Sequence, residues 1–170
     1  INPNMEIAKW LLKNGADAKA RDEDRQTVLF HACGNSSVTA EVIASLLKAG
    51  LDVNEANSNG QTPFMAAASA IPSVEIIGTL LKAGAKVNVA DEYGSTPLML
   101  ACSGNSETAV IDLLLKSGAT VNVTDDYNYT PLLYSLYNEN ANVIVPLLLK
   151  AGSQARVTGN DGTTPLIMAA

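Results

Sequence analysis

The chain has 170 residues, 47% of them apolar, which suits one ordinary domain with a buried core. Its formal charge of −6 works against a phosphate backbone, and no apolar run approaches the ~18 residues that cross a bilayer, so neither nucleic acid nor membrane insertion is expected. Ile1-Asn2-Pro3-Asn4 is not a secretory leader, and two cysteines cannot form a disulfide framework, so a cytoplasmic or otherwise intracellular setting is expected.

In chain order, the first element predicted is a helix from about Pro3 to Asn14. It closes on Leu-Leu-Lys-Asn-Gly at 11–15. That motif, Leu-Leu-Lys-x-Gly, returns at 46–50, 80–84, 114–118 and 148–152, with glycine steps of 35, 34, 34 and 34. A second motif, Thr-Pro, stands at 62–63, 96–97, 130–131 and 164–165, with a Thr27-Val28 variant, and its steps are the same. Two independent motifs hold one period along the whole chain, which marks a repeat architecture.

Each period has a physical reading. Threonine before proline suits a helix N-cap, and proline suits the first helical position, where a missing N–H costs nothing. A short first helix is therefore predicted after Thr27, Thr62, Thr96, Thr130 and Thr164. A polar break such as Gly104-Asn105-Ser106 follows. A second helix then carries apolar residues on one face, as Val110, Ile111, Leu114 and Leu115 do. Lysine in its last turn complements the helix dipole, and glycine ends it in a left-handed conformation. An extended stretch such as Val87-Asn88-Val89 leads to a polar turn, Asp91-Glu92-Tyr93-Gly94, and the next Thr-Pro. Leu80, Leu81, Leu114 and Leu115 are expected in the core. Pro146 is expected near the start of its helix, where it does little harm.

The stretches Thr-Pro-Leu-Met-Leu-Ala-Cys at 96–102 and Leu-Leu-Lys-Ala-Gly-Ala-Lys-Val-Asn at 80–88 resemble the ankyrin repeat family, and the likeness covers essentially the whole chain. The resemblance implies an all-α solenoid of stacked helix-turn-helix units with hairpin-like loops. Residues 1–170 read as one ankyrin domain: a partial repeat over 1–26, repeats starting near 27, 62, 96 and 130, and a partial repeat over 164–170. The ends lack the polar capping repeats that solenoids need, so the chain is expected to be a fragment of a longer protein. Two departures stand out. The family repeat has 33 residues, and the extra ones here fall between the two helices, because glycine to the next threonine is always 12. The family's Thr-Pro-Leu-His histidine is replaced by Phe30, Met65, Met99, Leu133 and Ile167. Its inter-repeat hydrogen bonds must be replaced or absent, and more apolar repeat packing is expected.

The family's partner surface is the turn tips plus the exposed side of each first helix. All five tyrosines fall on it or beside it: Tyr93, Tyr127, Tyr129, Tyr134 and Tyr137. Together with Glu92, Asp126 and Leu100 they are the candidate partner-binding residues. Tyr134 and Tyr137 are expected on one helix face, with Tyr93 continuing the patch from the preceding repeat. Tyrosine offers large contact area with a polar tip. The carboxylates of Glu92, Asp125 and Asp126 point to a partner of basic character.

Other features read as structural. His31 is expected to be solvated or to touch the partner. Cys33 and Cys102 hold one position two repeats apart, roughly 20 Å from each other and far beyond disulfide reach, so they should be small core residues like Ala68 and Ala170. The column Lys13, Lys48, Lys82, Lys116 and Lys150 is a helix C-terminal charge. No phosphate loop, metal-ligand spacing or nucleophile–base arrangement is visible, so no catalytic, metal or cofactor site is expected. The function expected is a monomeric protein-interaction scaffold. Two rivals are a regulatory region of a larger enzyme or channel, and a substrate of an asparagine hydroxylase at Asn54, Asn88 or Asn122, each of which follows valine.

Overall fold

The structure, a computed structural model, describes residues 3–71 and 73–170. Ile1 and Asn2, at the start of the expected first partial repeat, lie outside the described residues. Among the described residues ten helices run in order and there is no β-strand. They are α1 (Pro3–Lys13), α2 (Val28–Cys33), α3 (Ala40–Lys48), α4 (Pro63–Ala70), α5 (Val74–Lys82), α6 (Pro97–Gly104), α7 (Thr108–Lys116), α8 (Pro131–Ser135), α9 (Ala141–Lys150) and α10 (Pro165–Met168).

Threonine starts each first helix for the reason its chemistry dictates. The hydroxyls of Thr27, Thr62, Thr96, Thr130 and Thr164 accept from the backbone N–H three residues on. Each second helix stops on a lysine in its last turn, at positions 13, 48, 82, 116 and 150. A glycine two residues later adopts a left-handed φ near 90°, as Gly84 does, so that the N–H of Ala85 can reach back to the Leu80 carbonyl. Pro146 sits inside α9 as its sixth residue, where its ring removes the donor that would have reached the Asn142 carbonyl.

Helices stack like with like. The first helices α2, α4, α6 and α8 form one layer, and the second helices α1, α3, α5, α7 and α9 form the other. The core lies between them. Ile43, Ile77, Leu80, Ile111, Leu114 and Leu148 from the second layer meet Phe64, Ala67, Leu98, Ala101 and Leu132 from the first. Leu81 and Leu115 do not share that burial. They are half-buried at the edge of the core, because only a narrow stripe of a nine-residue helix can face inward between two layers.

The residues that replace the family histidine behave as apolar packing. Met65, Met99 and Leu133 are buried, Phe30 is half-buried, and Ile167 in α10 is exposed. Among the described residues, inter-repeat hydrogen bonds come from other places, three of which recur along the stack. One backbone bond joins each pair of neighbouring turn tips: Ser58, Glu92, Asp126 and Asn160 donate to the carbonyls of Asp24, Asn59, Tyr93 and Tyr127. Asn54, Asn88 and Asn122 each clamp the next repeat with both amide atoms. Asn88, for example, donates to the Gly118 carbonyl at 2.9 Å and accepts from the Thr120 N–H at 2.9 Å.

The third source is the polar break between the helices. Asn105 is buried and donates to the carbonyls of Ala68 at 2.9 Å and Ile71 at 3.0 Å, while its oxygen accepts from the Glu107 N–H. Asn138 does the same one repeat on, reaching the carbonyls of Cys102 and Asn105. These loop asparagines finish the carbonyls at the end of the preceding first helix. Asn105→Ala should therefore lower stability by about 1–3 kcal/mol by leaving buried acceptors without donors. Denaturant unfolding measures this, and an unchanged midpoint would show that water takes the amide's place.

Candidate functional site

The turn before α8 is built around Asp125. Its Oδ1 accepts from the backbone N–H groups of Tyr127 at 3.0 Å and Tyr129 at 2.8 Å, and Asn128 takes φ 61° between them. Asparagine tolerates that left-handed geometry better than most residues. The turn thus sets Tyr127 and Tyr129 on either side of its tip. Asp91 organises the preceding tip in the same way, accepting from Tyr93 and Ser95.

Asp125 has a second task. Its Oδ2 accepts the hydroxyl proton of Tyr134, nine residues on in α8. The first repeat uses the same spacing, with His31 Nε2 lying 2.7 Å from Asp22 Oδ2. Hydrogen bonds from the Gln26 N–H and from His31 hold the Asp22 carboxyl below its ordinary value. His31 is exposed, which fits a solvated histidine. In the intervening repeats the partner position is Ala66 or Leu100, so of the tips that begin at 22, 57, 91 and 125 only the first and the last carry this bond.

Tyr137 is not in α8. The helix ends at Ser135, and the N–H groups of Leu136, Tyr137 and Asn138 reach back three residues rather than four. The pull of Asn138 on the preceding repeat accompanies this tighter turn. Side chains three apart eclipse in such a turn, so Tyr134 and Tyr137 still point the same way.

The next turn completes the site. Position 159 corresponds to the aspartate or asparagine of the other tips (Asp22, Asn57, Asp91 and Asp125), but it is glycine. A Cβ there would lie 2.5 Å from Cε2 of Tyr129. The missing side chain is what admits the Tyr129 ring. The ring's hydroxyl donates to Asp161 Oδ2 at 3.0 Å and lies 3.4 Å from the Tyr137 hydroxyl.

The result is an open pocket of about 310 Å³ lined by Tyr127, Tyr129, Tyr134, Tyr137 and Asp161. The rings of Tyr129 and Tyr134 have centroids 5.5 Å apart and planes tilted by 56°. These two are half-buried and hydrogen-bonded, while Tyr127 and Tyr137 stand 60% and 62% exposed. Tyr134 is therefore a wall of the pocket rather than a free surface ring. Its burial against the stack and its bond to Asp125 set it apart from the exposed residue that the sequence leads one to expect. Tyr93 is 51% exposed at its own tip and does not line this pocket; the stack offsets successive tips. Glu92 and Asp126 are exposed beside Tyr93 and Tyr127. Leu100 lines a different cleft of about 260 Å³ on the first-helix face, with Phe30, Gln61, Met65, Ala66 and Ser69. Asp161 lies at a turn tip, where the family's partner surface is expected, but it is not a tyrosine and is not among the candidate residues; Gly159 has no aromatic or charge pattern in sequence that would single it out. The only signal is glycine standing where the other tips have aspartate or asparagine.

The electrostatics follow the geometry. Burial, then the bond to Asp125, pushes the Tyr134 hydroxyl up from its ordinary 10.0. For Tyr129 a bond with Thr163 acts downward, but the Tyr137 hydroxyl, burial and Asp161 outweigh it and hold the phenol at about 12. A phenol whose folded value is raised favours the folded state fully below pH 10, and that contribution is lost as pH rises through the folded value. In a phenolate absorbance titration, Tyr129→Phe with Tyr134→Phe should remove a late component that ionises after a free tyrosine. A wild-type curve with no late component would contradict the two bonds.

The remaining chemistry-bearing residues are inert. Cys33 and Cys102 are buried and unpaired; burial pushes Cys33 up to about 12 and raises Cys102 as well, which keeps both thiols protonated. Among the described residues no cluster of histidine, cysteine, aspartate and glutamate could hold a metal ion, and no helix is long and apolar enough to cross a membrane.

Stacked two-layer helix pairs joined by tip-forming turns define a repeat solenoid. The family model described as Ankyrin repeats (3 copies) matches residues 1–91, 41–125, 72–155 and 98–170. The chain belongs to the ankyrin repeat family. Ankyrin repeats are in general protein-interaction modules and are typically non-catalytic. No curated protein matches the chain.

Proposed function

We propose that the chain is a monomeric, intracellular scaffold that binds a partner protein with basic character through its turn tips and first-helix face. The tyrosine pocket is its principal contact. The single observation that carries this reading is the gathering of four tyrosines and Asp161 around one opening at the last two tips. Two rings are half-buried and pinned by carboxylates and two are exposed, so part of the contact area is ordered before the partner arrives, which lowers the cost of binding. Tyr93, Glu92, Asp126 and Leu100 extend the contact along the neighbouring tips and helix face. The carboxylates steer a basic partner toward this edge.

The asparagine-hydroxylase reading has less support. Asn54, Asn88 and Asn122 each spend both amide atoms on bonds to the following repeat, so an enzyme acting there must first open the stack. Amide hydrogen exchange tests the proposal on the complex of the full protein with its captured partner. Protection is expected over residues 125–138 and 158–163. Protection confined to the second-helix layer, around α5 and α7, would overturn it.

A further inference from the structure

We infer that the tyrosine pocket takes a methylated lysine side chain of the partner. The inference rests on the docking face proposed above and adds the chemistry of its central ligand. Three observations carry it. First, Tyr127, Tyr129, Tyr134 and Tyr137 turn onto one open space of about 310 Å³, and aromatic ring faces attract a cation within about 6 Å of their centroids. Second, negative charge stands in the wall: Asp161 lines the pocket and Asp125 lies behind Tyr134. Third, these carboxylates are already engaged. Asp125 accepts from the N–H groups of Tyr127 and Tyr129 and from the Tyr134 hydroxyl. Asp161 accepts from the Thr163 N–H and the Tyr129 hydroxyl.

The wall therefore offers a field and ring faces more readily than free acceptors. A plain ammonium brings three N–H donors and a tightly held water shell that such a wall satisfies poorly. Trimethylation removes the donors, spreads the cation over methyl groups and keeps the charge. Gly159 makes the arrangement specific to this tip, because a side chain there would displace the Tyr129 ring.

The probes are three small molecules titrated into the whole protein with labelled tyrosine rings. They are Nα-acetyl-Nε-trimethyl-lysine amide, its unmodified lysine counterpart, and a neutral analogue with a tert-butyl group in place of trimethylammonium. The trimethylated compound should shift the pocket tyrosine signals and bind about tenfold more tightly than the neutral analogue. Tyr127→Leu, which keeps apolar area but removes the ring, should abolish most of that preference. Asp161→Asn, which keeps the acceptor for Thr163 but removes the charge, should reduce it. Equal binding of the neutral analogue, equal or tighter binding of unmodified lysine, or no tyrosine shift with any probe would overturn the inference. If the probes fail while hydrogen exchange still maps a partner to residues 125–138, the docking face stands and only the methyl-lysine assignment falls.

Discussion

Leu114→Ala lowers folding stability by about 2–5 kcal/mol, the cost of opening a cavity in a packed core. Leu114 is fully buried in α7, whose neighbours in the second-helix layer are α5 and α9. A repeat stack has only nearest-neighbour interfaces, so damage to a central repeat weakens the junction on each side. Leu115, next in sequence but half-buried, should lose clearly less on the same truncation, since fewer of its contacts are enclosed. Denaturant unfolding of both variants checks the ranking. A Leu114→Ala midpoint within error of wild type, or a larger loss for Leu115→Ala, would mean the column is misassigned.

The fold was legible because each repeat states its limits chemically. Threonine before proline begins a helix in four copies, lysine and then glycine end one in five, and the recurrence removes the ambiguity of any single match. Burial was less legible. Leu80 and Leu81 look equivalent in sequence, and only the placement of the layers separates them. The replacement of the missing histidine bonds was hidden as well. Asn105 and Asn138 sit in a polar break that reads as loop, yet both are buried and both hold the preceding repeat.

The candidate site was legible in part. Tyrosine placement identified four residues that do converge, from the family's partner surface and the spacing of the turns. Tyr137 reached the pocket by a tightened turn rather than by the helix face that spacing implies. Tyr93 was assigned to the patch from its equivalence to Tyr127, but equivalence across repeats gives adjacency of tips, not a shared pocket. Gly159 and Asp161 belong to the following turn, which carries no tyrosine. Their part depends on a ring from one repeat entering the space left empty in the next, and no one-dimensional pattern records that.

The partner affinity of Tyr127→Ala with Tyr137→Ala tests the central claim most directly. These are the two exposed rings of the pocket, and the Tyr137 hydroxyl makes only a long contact with Tyr129. Removing them should leave the stack intact, whereas removing Tyr134 would strip Asp125 of a partner and confuse folding with binding. Central aromatic anchors typically cost about 2 kcal/mol or more each on truncation, which is about 30-fold in affinity per ring. The double variant should therefore unfold at the wild-type temperature and bind the partner of the full protein at least about 30-fold more weakly. Wild-type affinity in a folded double variant would contradict the account and place the contact surface elsewhere on the solenoid.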